Sequence, residues 1–234
     1  MLRLLAALSV LLFAGPAAAQ SFNAQERAEI RAVVRDYLVQ NPDVLKEALD
    51  ALQNRVNTER VARAENDPRD FSIGPADAPI TIVEFFDYRC PYCAAAIPWV
   101  MDTIRTRRDV RFVFKEMPLA MHGQPALEAT QASVAAMPQG RYLQFHQALM
   151  SYRGDLTSEA INQLARDSGI DVARMRRAME SDEIVQLVQD NMELASDLGA
   201  TGTPAFIING ELVSGFNPEA LNARIREAAR EARS

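Results

Sequence analysis

The sequence predicts a mixed α/β fold in which a helical block interrupts a strand-rich core, with a further helical segment ahead of it. Three observations carry this prediction. Two short runs rich in β-branched and aromatic residues, PITIVEFFDY (79–88) and VRFVFKEM (110–117), are separated by one helix length, as parallel strands joined by a crossover require. From about His122 to Leu198 the pattern is helical throughout. The chain then returns to strand in TPAFIINGELVSGF (203–216), where Asn209-Gly210 between two apolar runs signals a hairpin.

The elements follow in chain order. The first twenty residues give a basic start at Arg3, an apolar run from Leu4 to Ala14, the breaker pair Gly15-Pro16 and the small triplet Ala17-Ala18-Ala19. That pattern reads as a secretory signal peptide over residues 1–19, because the apolar run is shorter than the ~20 residues a spanning helix needs. Export to an oxidising compartment, the periplasm, is the corresponding expectation. From Asn23 to about Asn66 the chain is amphipathic, with Ile30, Val33, Val34, Tyr37 and Leu38 on one helical stripe. Asn41-Pro42 restarts a helix as N-cap and first position, and Leu45, Ala48, Leu49, Leu52 and Val56 continue a similar stripe until Asp67-Pro68 ends it. Residues 20–66 are therefore an N-terminal helical segment, and 67–234 the main domain with a helical insertion over about 118–199.

In the main domain the 79–88 run is apolar on both faces, which predicts a buried central strand. A helix follows from Cys90 or Pro91 to about Arg107, and 110–117 completes a βαβ unit. Helices are expected over QPALEATQASVAAM and RYLQFHQALM, from Ser158 to a stop at Gly169, from about Val172 after Asp171, and from about Asp182 to a stop at Gly199. Asn217-Pro218 caps a last helix whose Leu221, Ile225 and Ala228 face inward. The order βαβ, helical insertion, ββα is that of a thioredoxin-like fold with an inserted helical domain.

The chain carries 25 basic against 31 acidic residues, a net charge of -6. Loss of Arg3 with the leader makes this 24 against 31, or -7, which argues against nucleic acid or an anionic membrane surface as partner. The only cysteines are Cys90 and Cys93 in FFDYRCPYCAAAIP (85–98). A bridge between them closes too short a loop to stabilise the fold much, so the pair is read as chemical rather than structural. Cys90 directly follows a strand and opens a helix, where unpaired amides and the positive end of the dipole favour thiolate. That makes Cys90 the nucleophile, and Cys93, one turn later, the thiol that resolves a mixed disulfide. Zinc needs three or four ligands and the chain adds only His122 and His146, neither at ligand spacing, so no metal or cofactor is expected. The competing class is a binding protein, a copper-holding or chaperone-like scaffold with both thiolates as ligands for Cu(I).

Two further positions bear on the pair. Ile82, Glu84 and Phe86 share a strand face, so Glu84 enters apolar surroundings six residues before Cys90. It either accepts or relays the Cys93 proton or is salt-bridged to Lys115 on the neighbouring strand. Thr203-Pro204 sits where thioredoxin folds place a cis-proline facing the cysteines, leaving extended backbone that can pair with a substrate strand. His122 and His146 read as packing or surface residues and Trp99 as core.

EFFDYRCPYC, TGTPAFIING and the intervening helical block together resemble the DsbA family of periplasmic thiol–disulfide oxidoreductases, from about Ile73 to the C-terminus. The resemblance implies that Cys90 is the nucleophilic cysteine, Cys93 its buried partner, Glu84 the acid near the site and Pro204 the cis-proline preceded by Thr203. Substrate contacts are expected at Pro91, Tyr92, Thr203 and Pro204. Tyr92 departs from the pattern, standing where the family's strong oxidants carry a histidine that helps stabilise the thiolate. Dithiol proteins of this fold span roughly -270 to -120 mV, about 7 kcal/mol, so motif chemistry can decide the direction of exchange.

AEIRAVVRDYLVQNPDVLKEAL is similar to the extension of ScsC-like members of the family, which implies a homo-oligomer, dimer or trimer, through residues 20–66. The alternative is that these helices fold back on their own domain. An oligomer sets several sites around shared space, which suits isomerase or reductase action on misoxidised secreted proteins with cysteines, with a membrane redox partner resetting the pair. A DsbA-type dithiol oxidase is the alternative within the class. The CPYC motif also suggests a glutathione-using, glutaredoxin-type transferase, against which the leader argues.

Overall fold

The computed structural model describes residues 22–233; the expected leader, 1–19, lies outside the described residues. The chain divides into two compact units, Met1–Leu52 and Gln53–Ser234. In the first, α1 (Ala24–Gln40) starts from a capping box: Asn23 accepts the amides of Gln25 and Glu26, and Glu26 accepts the Asn23 amide at 2.8 Å. Asn41 ends this helix rather than capping the next with its side chain. Its side-chain amide donates to the Tyr37 carbonyl at 2.8 Å, and Pro42 begins α2 (Pro42–Asn66). No residue of α1 is buried, and Val33, Tyr37, Leu45 and Leu49 are exposed.

The second unit begins inside α2, earlier than the Asn66 boundary read from the sequence, because Val61 and Ala64 join one of its apolar clusters. Its sheet has the order β1-β3-β2-β4-β5, formed by Phe71–Ile73, Val110–Glu116, Ile80–Phe86, Ala205–Ile208 and Glu211–Ser214 respectively. β2 and β3 run parallel, joined by α3 (Pro91–Thr106), while β1–β3, β2–β4 and β4–β5 are antiparallel. Strand β1 has no counterpart in the sequence reading, since three residues are too short a run to mark a strand. Gly74 after it has φ 112°, and a Cβ there would meet the Val110 carbonyl oxygen at 2.3 Å, so only glycine lets β1 leave β3 at this point.

All seven residues of β2 are buried, as a strand covered on both faces must be. Ile82 and Phe86 belong to the larger cluster with Cys93, Ala96, Val100, Leu221 and Ile225, whereas Val83 and Phe85 face a second cluster with Ala64, Leu194 and Ile207. The chain leaves the sheet after β3 and returns at β4 through α4 (Gly123–Ala136), α5 (Tyr142–Ser151), α6 (Ser158–Asp167), α7 (Val172–Ala178) and α8 (Asp182–Asp197). Thr157, Asp171 and Ser181 cap the last three of these through their side chains. At the β4–β5 turn Asn209 and Gly210 have φ of 45° and 85°, the paired positive values of a two-residue hairpin. Asn217 accepts the amides of Glu219 and Ala220 to start α9 (Pro218–Glu231), which buries Leu221, Ile225 and Ala228.

Candidate active site

The end of β2 and the start of α3 place the two cysteines. Cys90 is the N-cap residue of α3, with extended backbone and Pro91 at the first helical position, where a missing amide costs nothing. Both cysteines are free. Cys90 is 5% and Cys93 0% exposed, while Tyr92 between them is 67% exposed. The Cys90 thiol is held down to about 5, first by a hydrogen bond from Cys93, then by the Thr203 side chain and the amides of Cys93 and Tyr92, against the opposing effect of burial. Burial pushes the Cys93 thiol far up, and the Cys90 sulfur and the charge of Glu84 add to it. One sulfur is thus poised as thiolate and the other as thiol.

Strand β4 completes the site. Its register sets Ala205 opposite Phe85 near the end of β2, so the preceding Thr203-Pro204 peptide, which is cis, runs beside the motif. Cys90 Sγ lies 3.2 Å from the Thr203 carbonyl oxygen, and the Pro204 carbonyl is taken by the Gly215 amide at 2.8 Å.

Glu84 is 1% exposed, and its Oε2 has no hydrogen-bond partner among the described residues. Burial first, and the charge of Cys90 second, push it up to about 8. The salt bridge to Lys115 is not formed. Glu84 pairs in register with Phe114, whereas Lys115 pairs with Phe85 and faces the opposite side of the sheet, where it bonds Asp70 and Asn191. Trp99 is half-buried, edge-on to Phe206, with its indole N–H on Asn222 at 3.1 Å. His146 is buried against Phe86, Phe114 and Tyr142, and burial lowers its imidazole to about 3. Among the described residues no three His, Cys, Asp or Glu side chains are grouped to hold a metal ion.

Sequence reasoning passed over two residues here. Asp87, fully buried beside the motif, is paired with His122, which had been read as packing or surface. The available signal was a second acidic residue, after Glu84, in the mostly apolar run leading to the motif.

Residues 81–226 match the family model of the DSBA-like thioredoxin domain, and residues 26–56 that of the copper resistance protein ScsC N-terminal domain. A thioredoxin-like oxidoreductase from Silicibacter pomeroyi is 35% identical, with a TM-score of 0.68 over 72% of this chain and 97% of that one. A linker-deleted ScsC variant of Proteus mirabilis is 29% identical over 92% of this chain and all of that one, with a TM-score of 0.67. A periplasmic thioredoxin-like protein from Salmonella enterica is 27% identical over 72% and 95%, with a TM-score of 0.66. The chain spans about a quarter of the length of the curated relatives it matches: a sodium/proton antiporter of Salinispora tropica is 32% identical over 70% of this chain but 26% of its own length. No helix among the described residues is long and apolar enough to cross a membrane.

Proposed function

Because the chain belongs to the DSBA-like thioredoxin-domain family, we propose that it is a periplasmic thiol–disulfide exchange enzyme acting on secreted proteins with cysteines. One observation carries the reading: Cys90 is an N-cap sulfur favoured as thiolate, with the Cys93 thiol beside it and the Thr203 backbone alongside. The Cys90 thiolate attacks one sulfur of a client disulfide, forming a Cys90–client bond and releasing the other client sulfur as thiolate. Once the mixed disulfide has removed the Cys90 charge, the Glu84 carboxylate takes the Cys93 proton, and the Cys93 sulfur attacks the Cys90 sulfur and frees the second client sulfur as thiolate. The protein is left as the Cys90–Cys93 disulfide, two electrons having passed to the client. The reverse sequence donates a disulfide, and attack on the mixed disulfide by another client thiol reshuffles bonds with no net electron transfer. Pro91, Tyr92, Thr203 and Pro204 border the client, whose extended chain pairs with the Thr203 edge.

Isomerase or reductase action is favoured over oxidase action, on two grounds. Tyr92 gives Cys90 no cationic neighbour within the motif, and the apolar residues of 22–52 present a face suited to joining copies of the chain. The similarity of residues 26–56 to the ScsC N-terminal domain supports the second ground. A leader-like N-terminus and likeness to a periplasmic protein support the compartment, and a membrane redox partner resets the pair. The test is alkylation of reduced protein across pH with equilibration against glutathione. Cys90 should half-titrate near pH 5 while Cys93 stays unreactive. Two sulfurs both as sluggish as free cysteine overturn the reading.

A further inference from the structure

Asp87 stands between β2 and the cysteines with both carboxylate oxygens and its main-chain carbonyl in use. Its carboxylate, fully buried, accepts the Arg89 amide at 2.6 Å and the Leu119 amide at 2.6 Å, and lies 2.8 Å from His122 Nδ1. Its main chain serves the motif directly: the carbonyl accepts the Cys90 amide at 3.1 Å. The Arg89 bond closes a side-chain turn two residues long, fixing the approach to Cys90. Leu119 precedes and His122 ends the short 3-10 turn Ala120–His122 that opens the helical block, with His122 at the N-cap of α4. A buried carboxylate is tolerated only when its oxygens are satisfied, and two of its three partners here come from that distant turn. The Arg89 guanidinium does not compete, since it reaches Asp155 at 3.8 Å.

We propose that Asp87 and His122 are a positioning pair for the dithiol: the carboxylate holds the turn from Asp87 to Cys90 so that the α3 amides face the Cys90 sulfur, and the imidazole pins that carboxylate to the start of α4. The proposal rests on the exchange reading of Cys90 and Cys93. Cys90 has no side-chain cap of its own, so its orientation depends on the residues preceding it. The pair therefore ties reactivity at Cys90 to the placement of the helical block.

The test uses full-length protein in five forms: wild type, Asp87→Asn, His122→Leu, His122→Gln and the double variant Asp87→Asn/His122→Leu. The readouts are the alkylation rate of Cys90 by iodoacetamide at pH 4, below the range where the thiol half-titrates, the equilibrium constant with glutathione, and the unfolding midpoint. Asp87→Asn and His122→Leu should each slow alkylation about 3- to 10-fold, the range of one lost hydrogen bond, and make the protein a weaker oxidant. Gln at 122 keeps an N–H donor and should recover most of the rate, and the double variant should be no slower than the slower single one. Variants that react and equilibrate within twofold of wild type overturn the pair even if their midpoints fall. His122 is partly exposed, so its two variants decide the question alone should Asp87→Asn fail to fold. A wild type whose Cys90 is itself sluggish overturns the exchange reading and the pair with it, whereas a reactive wild type with unchanged variants overturns the pair alone.

Discussion

Glu84 is a carboxyl group without a hydrogen-bonded cation, buried within range of two sulfurs, and both facts bear on its proton. Its folded pKa is raised to about 8, so the folded state holds a proton that the unfolded chain has released. The stabilisation this gives is fully present below the usual carboxylate range and is lost as pH rises toward 8. The effect is on the order of a few kcal/mol. Glu84→Gln should therefore remove most of the decline in unfolding free energy between about pH 4.5 and 8, measured as the difference between variant and wild type so that the titration of buried His146 cancels. Oxidising the pair removes the Cys90 charge, the second cause of the shift, so the decline should end at lower pH in the disulfide form. A wild-type curve as flat as the variant's would show that Glu84 has an ordinary affinity for its proton. Glu84→Gln should also slow release of the mixed disulfide, because Cys93 loses its acceptor; rapid quenching of a client adduct reads that step.

Among the elements, β3 reaches both faces of the sheet with charged side chains. Lys115 faces away from the cysteines, where its ammonium group bonds Asp70 and Asn191 in fully buried surroundings. Breaking this pair from one side leaves an uncompensated charge, so Asp70→Ala should cost about 3–5 kcal/mol in urea unfolding. Replacing Lys115 with Met in the same chain should return much of that loss, and an equal loss in single and double variants would show that packing rather than charge is at stake. The same strand marks how far sequence could be read. Short runs of β-branched and aromatic residues gave β2 and β3, helix-length spacing gave α3, and Asn209-Gly210 gave the hairpin, because each is determined by local chemistry. Strand β1 was illegible since its three residues become a strand only on the β3 edge. Alternation put Glu84 on the face of Cys93, but its link with Lys115 failed because the parallel register sets Lys115 opposite Phe85. Asp87 and His122 meet across β3, a separation that no local pattern crosses.

At the scale of the whole molecule, the unsettled quantity is how many dithiols work together. The main domain buries its apolar residues in two clusters, yet residues 22–52 bury none, and Ile30, Val33, Val34, Tyr37, Leu45, Leu49 and Leu52 are all exposed in the single chain. Helical residues that bury nothing hold apolar side chains in water at about 25 cal/mol per Å², a cost that the proposed association of copies would remove. Leu45→Glu/Leu49→Glu places two charges on that face, leaves every residue of the Cys90 site as it is, and should reduce the solution mass from a multiple of the chain to that of one. Rates of dithiol exchange with glutathione should stay within about twofold, since no group contacting either sulfur has changed. Recovery of activity from a scrambled disulfide substrate should fall sharply, because a client released from one dithiol no longer finds a second held beside it. Removing residues 20–52, a cut that spares Val61 and Ala64, should have the same effect. A monomeric variant that still repairs scrambled substrate at the full rate would mean that each dithiol works alone, and that the exposed face serves another purpose.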